Sequence, residues 1–400
     1  MKLKEPYLII NLDGNKINFF VISFDKNKNY NLIKNINIDS AGIQNGRIVN
    51  IKLVAELIKK NLNLLEDELN FFFSNASVII SPSDVNCLNV SGYKRLNGSQ
   101  VSKESITYIL NDIKKTILFN EDKYSLVHLF NSSFSLDSDN LENLPIGLFG
   151  EFYNQNMTFF LVSKNIVKNL KLLFNISGIS IDRIILKPFA EGVNYLLMNK
   201  NNKSFTTITL EEKKINISLF KNKSYVCTED FDFGINLIIK DVSKLCSLKI
   251  EEVELLLKKI NLESLILNDA ESYLDNSFFS ISPYRKIKHQ LILDIIVARL
   301  DEFTEVCYEK NINLNYFRKN NNAIYINIGK SEYFKNIQFA LRKNKFIDPK
   351  LVFGKNNEDS SLSSLNGAAE LIGKGWEKEA IPVTQSKKSL ISTLFSRLFS

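Results

Sequence analysis

Histidine is scarce in this chain, and its scarcity excludes several kinds of active site. The 400 residues include two histidines, His128 and His289, which lie far apart in the sequence. A histidine-based metal site or a Ser/His catalytic triad therefore has almost no material to work with. Cysteine is also sparse, and no two of the four are spaced as a zinc pair: Cys87, Cys227, Cys246 and Cys307. We interpret them as reduced, buried small hydrophobes of a cytosolic protein.

Long apolar runs are lacking as well. No stretch approaches the ~20 residues of a transmembrane helix, and the apolar run near the N-terminus is too short for a signal peptide, so we expect no export. The net charge of +7 is mild, and the lysines form no dense stripe interleaved with aromatics. This argues against nucleic acid as a partner and fits an anionic lipid surface better. The 44% of hydrophobic residues can form well-buried cores in two or three domains.

A pattern of three strands followed by a helix occurs twice. The first copy has predicted strands at 7–12, 17–24 and 30–38 and a helix at 51–65. The second copy has strands at 205–210, 215–220 and 225–228 and a helix at 235–245. Such a duplication predicts two similar α/β lobes facing a cleft, the alternative being two unrelated β meanders. An insert with a helix at 103–118 separates the two copies.

The last twelve residues have the spacing of an amphipathic helix. One half of the helical wheel is apolar, and Ser392, Thr393, Ser396 and Arg397 fill the other half. Anionic headgroups would meet the lysines before the helix, so the sequence predicts a reversible membrane anchor rather than docking on the protein's own core. The predicted membrane-binding residues are Lys387, Lys388, Leu390, Ile391, Leu394, Phe395, Arg397, Leu398 and Phe399.

Short motifs in a fixed order give the chain a family resemblance. In sequence, they match the family's Gly-Ile-basic-x-Gly-x-Ile segment, its His, Phe-x-x-Asp and Asn-Pro-Ile-Gly-Met-x-Gly marks, its Glu-Pro-Leu-Ala-Ser-Ala block and its Ile-Ile-x-x-Arg-x-x-Glu helix. The segments that carry these marks are residues 40–51, 128–130, 134–137, 145–150, 185–192 and 295–302. Together with the tail, they resemble FtsA, the actin-like bacterial cell division protein that tethers FtsZ filaments to the membrane.

The resemblance implies an α/β, actin-like, two-lobed fold of the actin/sugar-kinase type. An α+β subdomain would be inserted in the first lobe, and an amphipathic helix would end the chain. The implied boundaries are 1–81 and 164–202 for the first lobe, 82–163 for the inserted subdomain, 203–227 and 294–372 for the second lobe, 228–293 for its outer subdomain on the FtsZ-tail side, 373–388 for a linker and 389–400 for the membrane-targeting helix.

The resemblance also implies ATP as a cofactor, but the nucleotide motifs are degenerate. The implied binding residues are Asp13, Gly14 and Lys16 in the first turn, Glu254 and Lys258 on a helix, and Gly329 in the third motif. In the second turn, Glu211 and Glu212 replace family glycines, and carboxylates there would repel a triphosphate. Glu254 and Lys258 also fit a solvated i, i+4 helix pair. We therefore expect no ATP hydrolysis and no metal site.

The family's FtsZ-binding helix supplies the last implied site. Arg299 and Glu302 lie three residues apart on one helical face, where Arg suits a carboxylate of the FtsZ tail, and an ordinary intrahelical pair is the alternative. The resemblance thus implies a non-enzymatic, peripheral protein on the cytoplasmic side of the inner membrane at the division site. It would self-associate into filaments and contact other divisome proteins. An actin-like pilus-platform adaptor and an actin-like ATPase are the other two readings.

Overall fold

The computed structural model describes residues 5–14, 16–44, 46–120, 123–269, 271–312, 314, 323–328, 333–343, 351–353 and 360–380. The strands, in chain order, are β1 (Tyr7–Asp13), β2 (Lys16–Phe24), β3 (Tyr30–Asp39), β4 (Ile43–Gln44), β5 (Arg47–Ile48), β6 (Asn75–Ile80), β7 (Val85–Arg95), β8 (Tyr124–Leu136), β9 (Asp139–Leu141), β10 (Phe152–Ser163), β11 (Ser180–Leu186), β12 (Phe205–Leu210), β13 (Ile215–Lys221), β14 (Ser224–Phe231), β15 (Ala323–Ile328) and β16 (Leu351–Phe353).

The helices, in chain order, are α1 (Ile51–Leu69), α2 (Lys103–Asn120), α3 (Lys164–Ile176), α4 (Lys187–Met198), α5 (Ile235–Cys246), α6 (Ile250–Lys259), α7 (Leu262–Asn268), α8 (His289–Thr304), α9 (Phe334–Lys343) and α10 (Ser360–Gly373). A π-helical turn, Glu305–Glu309, continues α8. No helix in the described part of the chain combines the length and hydropathy that crossing a bilayer requires.

Packing contacts divide the described chain into two units. Unit 1 comprises residues 5–203, 218–228 and 360–380, and unit 2 comprises residues 204–217 and 229–353. The first sheet of unit 1 has the order β11-β6-β1-β2-β3, in which β1 pairs antiparallel with β2 and parallel with β6. The central strand β1 is buried over five consecutive residues, 8–12, so both faces of the sheet are covered.

Helix α1 shows how the sequence specifies one of these covering elements. The Asn50 side chain caps its start by accepting the N–H of Leu53, and Asn70 ends it in a left-handed conformation with φ of 48°. Its buried stripe includes Val54, Ile58 and Leu62, which recur every four residues. Burial of each such side chain contributes about 1.5–3 kcal/mol before conformational entropy is subtracted.

A separate sheet with the order β7-β10-β8-β9 lies within the predicted insert. Helix α2 packs against it with a buried apolar face that includes Ile106, Ile109 and Ile113. Gly92 on β7 permits a close approach, because a Cβ there would lie 2.2 Å from Cγ2 of Ile109. The insert therefore has its own hydrophobic core.

A second five-stranded sheet has the order β14-β13-β12-β15-β16. The order of its strands in the sheet, relative to their order along the chain, is the same as in the first sheet. In both, an initial strand has two successive strands on one side and two later parallel strands on the other. The two sheets thus share one topology, as the duplicated sequence pattern predicts.

The observed units depart from the predicted boundaries at three places. Residues 218–227 and 360–372, predicted in the second lobe, belong to unit 1. Helix α10 begins at Ser360 and packs on α4 so closely that a Cβ on Gly367 would lie 1.7 Å from the Ala190 oxygen. The first part of the predicted 373–388 linker also belongs to unit 1. Residues 374–380 pack within that unit through the contacts described below.

Candidate functional site

The first turn joins β1 to β2 and carries three of the predicted nucleotide-binding residues. Asp13 ends β1 and is paired in register with Lys16 at the start of β2. Gly14 has a φ of 61°, the left-handed region that a tight turn needs and glycine adopts at little cost. The structure thus brings Asp13, Gly14 and Lys16 together, as their spacing requires.

A residue that the sequence analysis did not select completes this turn. Lys187 begins α4, and its Nζ lies 2.7 Å from Oδ2 of Asp13 and 3.8 Å from Oε1 of Glu191. The Lys187 side chain is 3% exposed. One signal could have pointed to it, since the family block beginning Glu-Pro has Lys187-Pro188 in this chain. The signal is that Lys187, a base, stands where the family block has a glutamate.

The second turn, between β12 and β13, is tied to the start of α5. The backbone N–H groups of Ile235 and Asn236 donate to the carbonyl oxygens of Glu211 and Glu212, at 3.0 and 2.9 Å. Gly234 makes this possible, because a Cβ there would lie 2.3 Å from the Glu211 oxygen. Two amides of the helix N-terminus are therefore already paired within the chain rather than directed at a phosphate.

Buried charge also surrounds this second turn. Burial raises the pKa of Asp230, against the opposing effects of Lys214 and of a hydrogen bond from Asn216. The Asn216 amide donates to Asp230 over 2.8 Å, and Lys214 Nζ lies 3.7 Å from the other carboxylate oxygen. Lys214 of this turn and the neighbouring Asp230 thus pair inside unit 2.

The remaining predicted nucleotide residues are partly described. Glu254 and Lys258 lie one turn apart on α6 in unit 2, and the Lys258 ammonium lies 6.0 Å from the ring centroid of the buried Tyr333. That distance is within the range of a cation–π contact. Gly329 lies outside the described residues. Among the residues the structure describes, no group of three or more His, Cys, Asp or Glu side chains is placed to hold a metal ion.

The predicted FtsZ-binding pair lies on α8 of unit 2. Nη1 of Arg299 donates to Oε2 of Glu302, and Nε of Arg299 donates to Oδ2 of Asp241 on α5 at 2.5 Å. The hydrogen bond to Asp241 raises the pKa of Arg299. The Arg299 side chain is 24% exposed, so part of the guanidinium still reaches solvent.

Apolar side chains are exposed in the chain segment that leads into α8. They include Ile281 in a loop, Tyr284 and, on α8 itself, Leu291. The loop is held to α6 by Glu252, whose carboxylate accepts the backbone N–H groups of Ile281 and Ser282. Burial alone would raise the pKa of Glu252, but a hydrogen bond from the Ser282 hydroxyl, together with those from the backbone N–H groups, lowers it to about 2. Sequence periodicity did not single out these residues, because the loop has no regular repeat.

A buried ion network holds the segment that precedes the predicted tail. Glu379 is fully buried, accepts a hydrogen bond from Nη2 of Arg183 and lies 2.7 Å from Nδ1 of His128. Nε2 of His128 accepts the Leu186 N–H, so the imidazole is neutral with its proton on Nδ1. Burial lowers the pKa of His128. Burial alone would raise the pKa of Glu379, but the Arg183 charge and the His128 hydrogen bond lower it.

Backbone hydrogen bonds continue this attachment. The Asn131 N–H donates to the Lys378 oxygen at 2.9 Å, and the Ala380 N–H donates to the Leu129 oxygen at 2.6 Å. Residues 374–380, here called the strap, are thus fixed to strand β8 of the insert and to Arg183 of the first sheet. All the predicted membrane-binding residues, 387–399, lie outside the described residues.

Comparison with known proteins gives relatives of one kind. FtsA of Buchnera aphidicola (strain APS) is 19% identical over 276 residues, 69% of this chain and 65% of that protein. FtsA of Agrobacterium fabrum is 21% identical over 283 residues (68% and 61%), and FtsA of Bacillus subtilis is 22% identical over 282 residues (70% and 64%). The matches span slightly less than two thirds of each of these relatives. No family model matches the chain.

Solved structures give the fold. The PilM–PilN type IV pilus biogenesis complex matches with a TM-score of 0.54 and 11% identity, over 94% of this chain and 98% of that one. MreB5 of Spiroplasma citri bound to ADP matches with a TM-score of 0.50 and 11% identity, over 92% and 96%. The fold is therefore actin-like, and the chain is a divergent relative of FtsA in sequence.

This fold is compatible with nucleotide binding, but the first turn does not fit a metal-bound phosphate. A divalent cation and its nucleotide require acidic oxygens and backbone amides that are open to them. Here the Asp13 carboxylate is neutralised by Lys187, and two amides at the start of α5 are taken up by the second turn.

Proposed function

We propose that this protein acts in bacterial cell division as a non-enzymatic adaptor that tethers FtsZ filaments to the cytoplasmic face of the inner membrane. The observation that carries the proposal is the similarity to FtsA proteins over more than two thirds of the chain, on an actin-like fold. In this role the protein self-associates into filaments through its lobes, and it contacts other divisome proteins at the division site.

The membrane contact of the proposal rests on the tail. Six apolar side chains of residues 390–399 would each gain roughly 1.5–3 kcal/mol in gross transfer from water to lipid. Ordering so short a helix takes back much of that gain, so one copy binds reversibly and a filament of copies binds firmly. Six residues, 381–386, separate the strap from Lys387, the first predicted membrane-binding residue. The strap itself is held in unit 1 by its hydrogen bonds.

Liposome flotation tests the membrane contact. Leu394→Glu with Phe395→Glu places two charges on the apolar half of the predicted helix, and we expect it to abolish flotation with anionic vesicles. Ser392→Glu with Thr393→Glu adds the same charge on the polar half and is the matched control, with a smaller loss. Equal flotation of the parent protein and the apolar-face variant contradicts the membrane role.

The FtsZ contact of the proposal rests on unit 2. A tail with apolar anchors and acidic groups would meet exposed apolar side chains such as Ile281 and Leu291 and the partly exposed guanidinium of Arg299. Arginine has five donors, so pairing with Asp241 and Glu302 leaves capacity for an incoming carboxylate. The segment from 279 to 299 is therefore the proposed docking surface.

A pull-down with the FtsZ tail peptide tests this surface. Arg299→Glu would place a third carboxylate beside Asp241 and Glu302 and disturb the fold, so Arg299→Gln is the cleaner variant. We expect Arg299→Gln to weaken binding about tenfold or more, the loss of one charge-assisted contact. Arg47→Glu, an exposed arginine of unit 1, is the control and should bind normally. Unchanged binding by Arg299→Gln refutes the assignment.

A second candidate function is an actin-like adaptor of a type IV pilus platform. The match to the PilM–PilN complex favours it, because it covers nearly the whole of both chains. Depletion in a cell that carries the gene separates the two functions. Filamentous cells with FtsZ rings detached from the membrane support the division role, and normal division with loss of pili supports the other. Measurable ATP turnover above background by the purified protein would instead favour an actin-like ATPase.

A further inference from the structure

The first turn carries its own cation. Lys187 Nζ lies 2.7 Å from the Asp13 carboxylate and 3.8 Å from the Glu191 carboxylate, and its side chain is almost completely buried. Asp13 comes from β1, whereas Lys187 and Glu191 lie one turn apart on α4, so the ammonium joins two elements of unit 1. The Lys187 ammonium thus lies beside Asp13, the acidic residue that the sequence predicts to bind nucleotide.

A buried ammonium at this place has a definite electrostatic consequence. Two carboxylates that are largely withdrawn from water require a positive charge nearby, and either a divalent cation or a protein side chain can supply it. A lysine that already lies at hydrogen-bond distance from Asp13 removes the charge that would attract Mg²⁺ and adds one that repels it. The same side chain occupies the space beside the carboxylate.

We propose that the Lys187 ammonium is a resident cation that takes the place of a divalent metal ion at the first turn. The turn then keeps its conformation without Mg²⁺, and a nucleotide brought to this lobe is bound without a metal contribution from Asp13. This proposal concerns the cofactor dependence of the lobe and does not rest on the cell division role. An ion pair with a purely structural role would also stabilise the fold, but it would not make the turn independent of a metal ion.

Metal dependence of the unaltered full-length protein is the first test. Its thermal unfolding is measured in chelator and in millimolar Mg²⁺, each with and without ATP, and ATP binding is titrated calorimetrically under the same two conditions. We expect Mg²⁺ to shift neither the unfolding temperature nor the ATP affinity, if ATP heat is detected. An unfolding temperature or ATP affinity that rises with Mg²⁺ overturns the proposal.

Substitution of the lysine is the second test. Lys187→Met keeps most of the length of the side chain but leaves Asp13 and Glu191 without their cation, and we expect an unfolding temperature lower by about 5 °C or more. Lys168→Met, an exposed lysine on α3, is the matched control and should change it little. Equal effects of the two substitutions overturn the proposal.

A double variant keeps the test usable if Lys187→Met folds poorly. Lys187→Met with Asp13→Asn removes the cation together with one of the charges it neutralises, so we expect it to unfold at a higher temperature than Lys187→Met alone. Lys187→Arg, which retains the charge, should recover more of the stability. A double variant no more stable than the single one shows that the two side chains are uncoupled and contradicts a neutralising role for Lys187.

Discussion

Replacement of Glu379 by alanine is the perturbation whose effect the structure defines best. The Glu379 carboxylate is fully buried, and it neutralises Arg183 and orients the proton-bearing nitrogen of His128. Its removal deprives the Arg183 guanidinium, 3% exposed, of this buried counter-charge. Breaking a buried pair by removal of one partner typically costs about 3–5 kcal/mol. The strap, which depends on this network, should therefore open roughly 150-fold to 5000-fold more often.

Glu377 supplies a matched control within the same segment. It lies two residues before Glu379 and pairs with Lys223 at 2.9 Å, but its side chain is 58% exposed. Exposed ion pairs of this kind contribute at most about 1 kcal/mol. Glu377→Ala removes the same chemical group from the same strap, so the difference between the two variants measures burial of the ion network rather than loss of a glutamate.

The single tryptophan of the chain provides the assay. Trp376 lies in the strap, and its Nε1 donates to the Lys223 oxygen at 2.8 Å, so its fluorescence reports release of this segment. Urea unfolding followed by Trp376 fluorescence, with tryptic cleavage after Lys374 and Lys378 as a second readout, should show early release in Glu379→Ala only. Indistinguishable midpoints and cleavage rates for the two variants would refute the reasoning about the buried network.

Three further outcomes are expected. His128 has a lowered pKa in the folded state, so below pH 6.5 the unfolded chain takes up a proton that the folded chain does not. The free energy of unfolding, followed by Trp376 fluorescence, should therefore be full above that pH and fall below it by up to about 1.4 kcal/mol per pH unit. A flat profile between pH 7 and pH 5 contradicts this. Gly367→Ala should lower the stability of unit 1 by about 1–3 kcal/mol or more, because its Cβ would strike the Ala190 backbone, and chemical denaturation measures it. Gly14→Ala has open space around its Cβ but a φ of 61°, so it should cost only about 1 kcal/mol in the same experiment.

Local patterns in the sequence were sufficient for most elements of the fold. The alternating and continuous apolar runs at 7–12 and 205–210 predict strands whose ends agree with β1 and β12 to within one residue. The repeated order of strands and helix predicts two related sheets, which share one topology. These signals are local, because strand burial and helix periodicity depend on residues within about ten positions of each other.

Partnerships between distant residues could not be obtained in this way. Lys187 and Asp13 are 174 positions apart, and Arg183 and Glu379 are 196 apart. Each of these charged residues reads as a surface residue in isolation, and only packing of α4 on the first sheet and of the strap on β8 buries them together. For this reason, composition alone indicated a linker at residues 374–380, although these residues pack in unit 1.

Chain order and side-chain polarity thus suffice for the actin-like pattern of strands and helices, since each element buries its own apolar face. Tertiary packing alone decides where α10 belongs and which charges become buried, because the free energy of a charge depends on the groups that surround it in space and not on its neighbours along the chain.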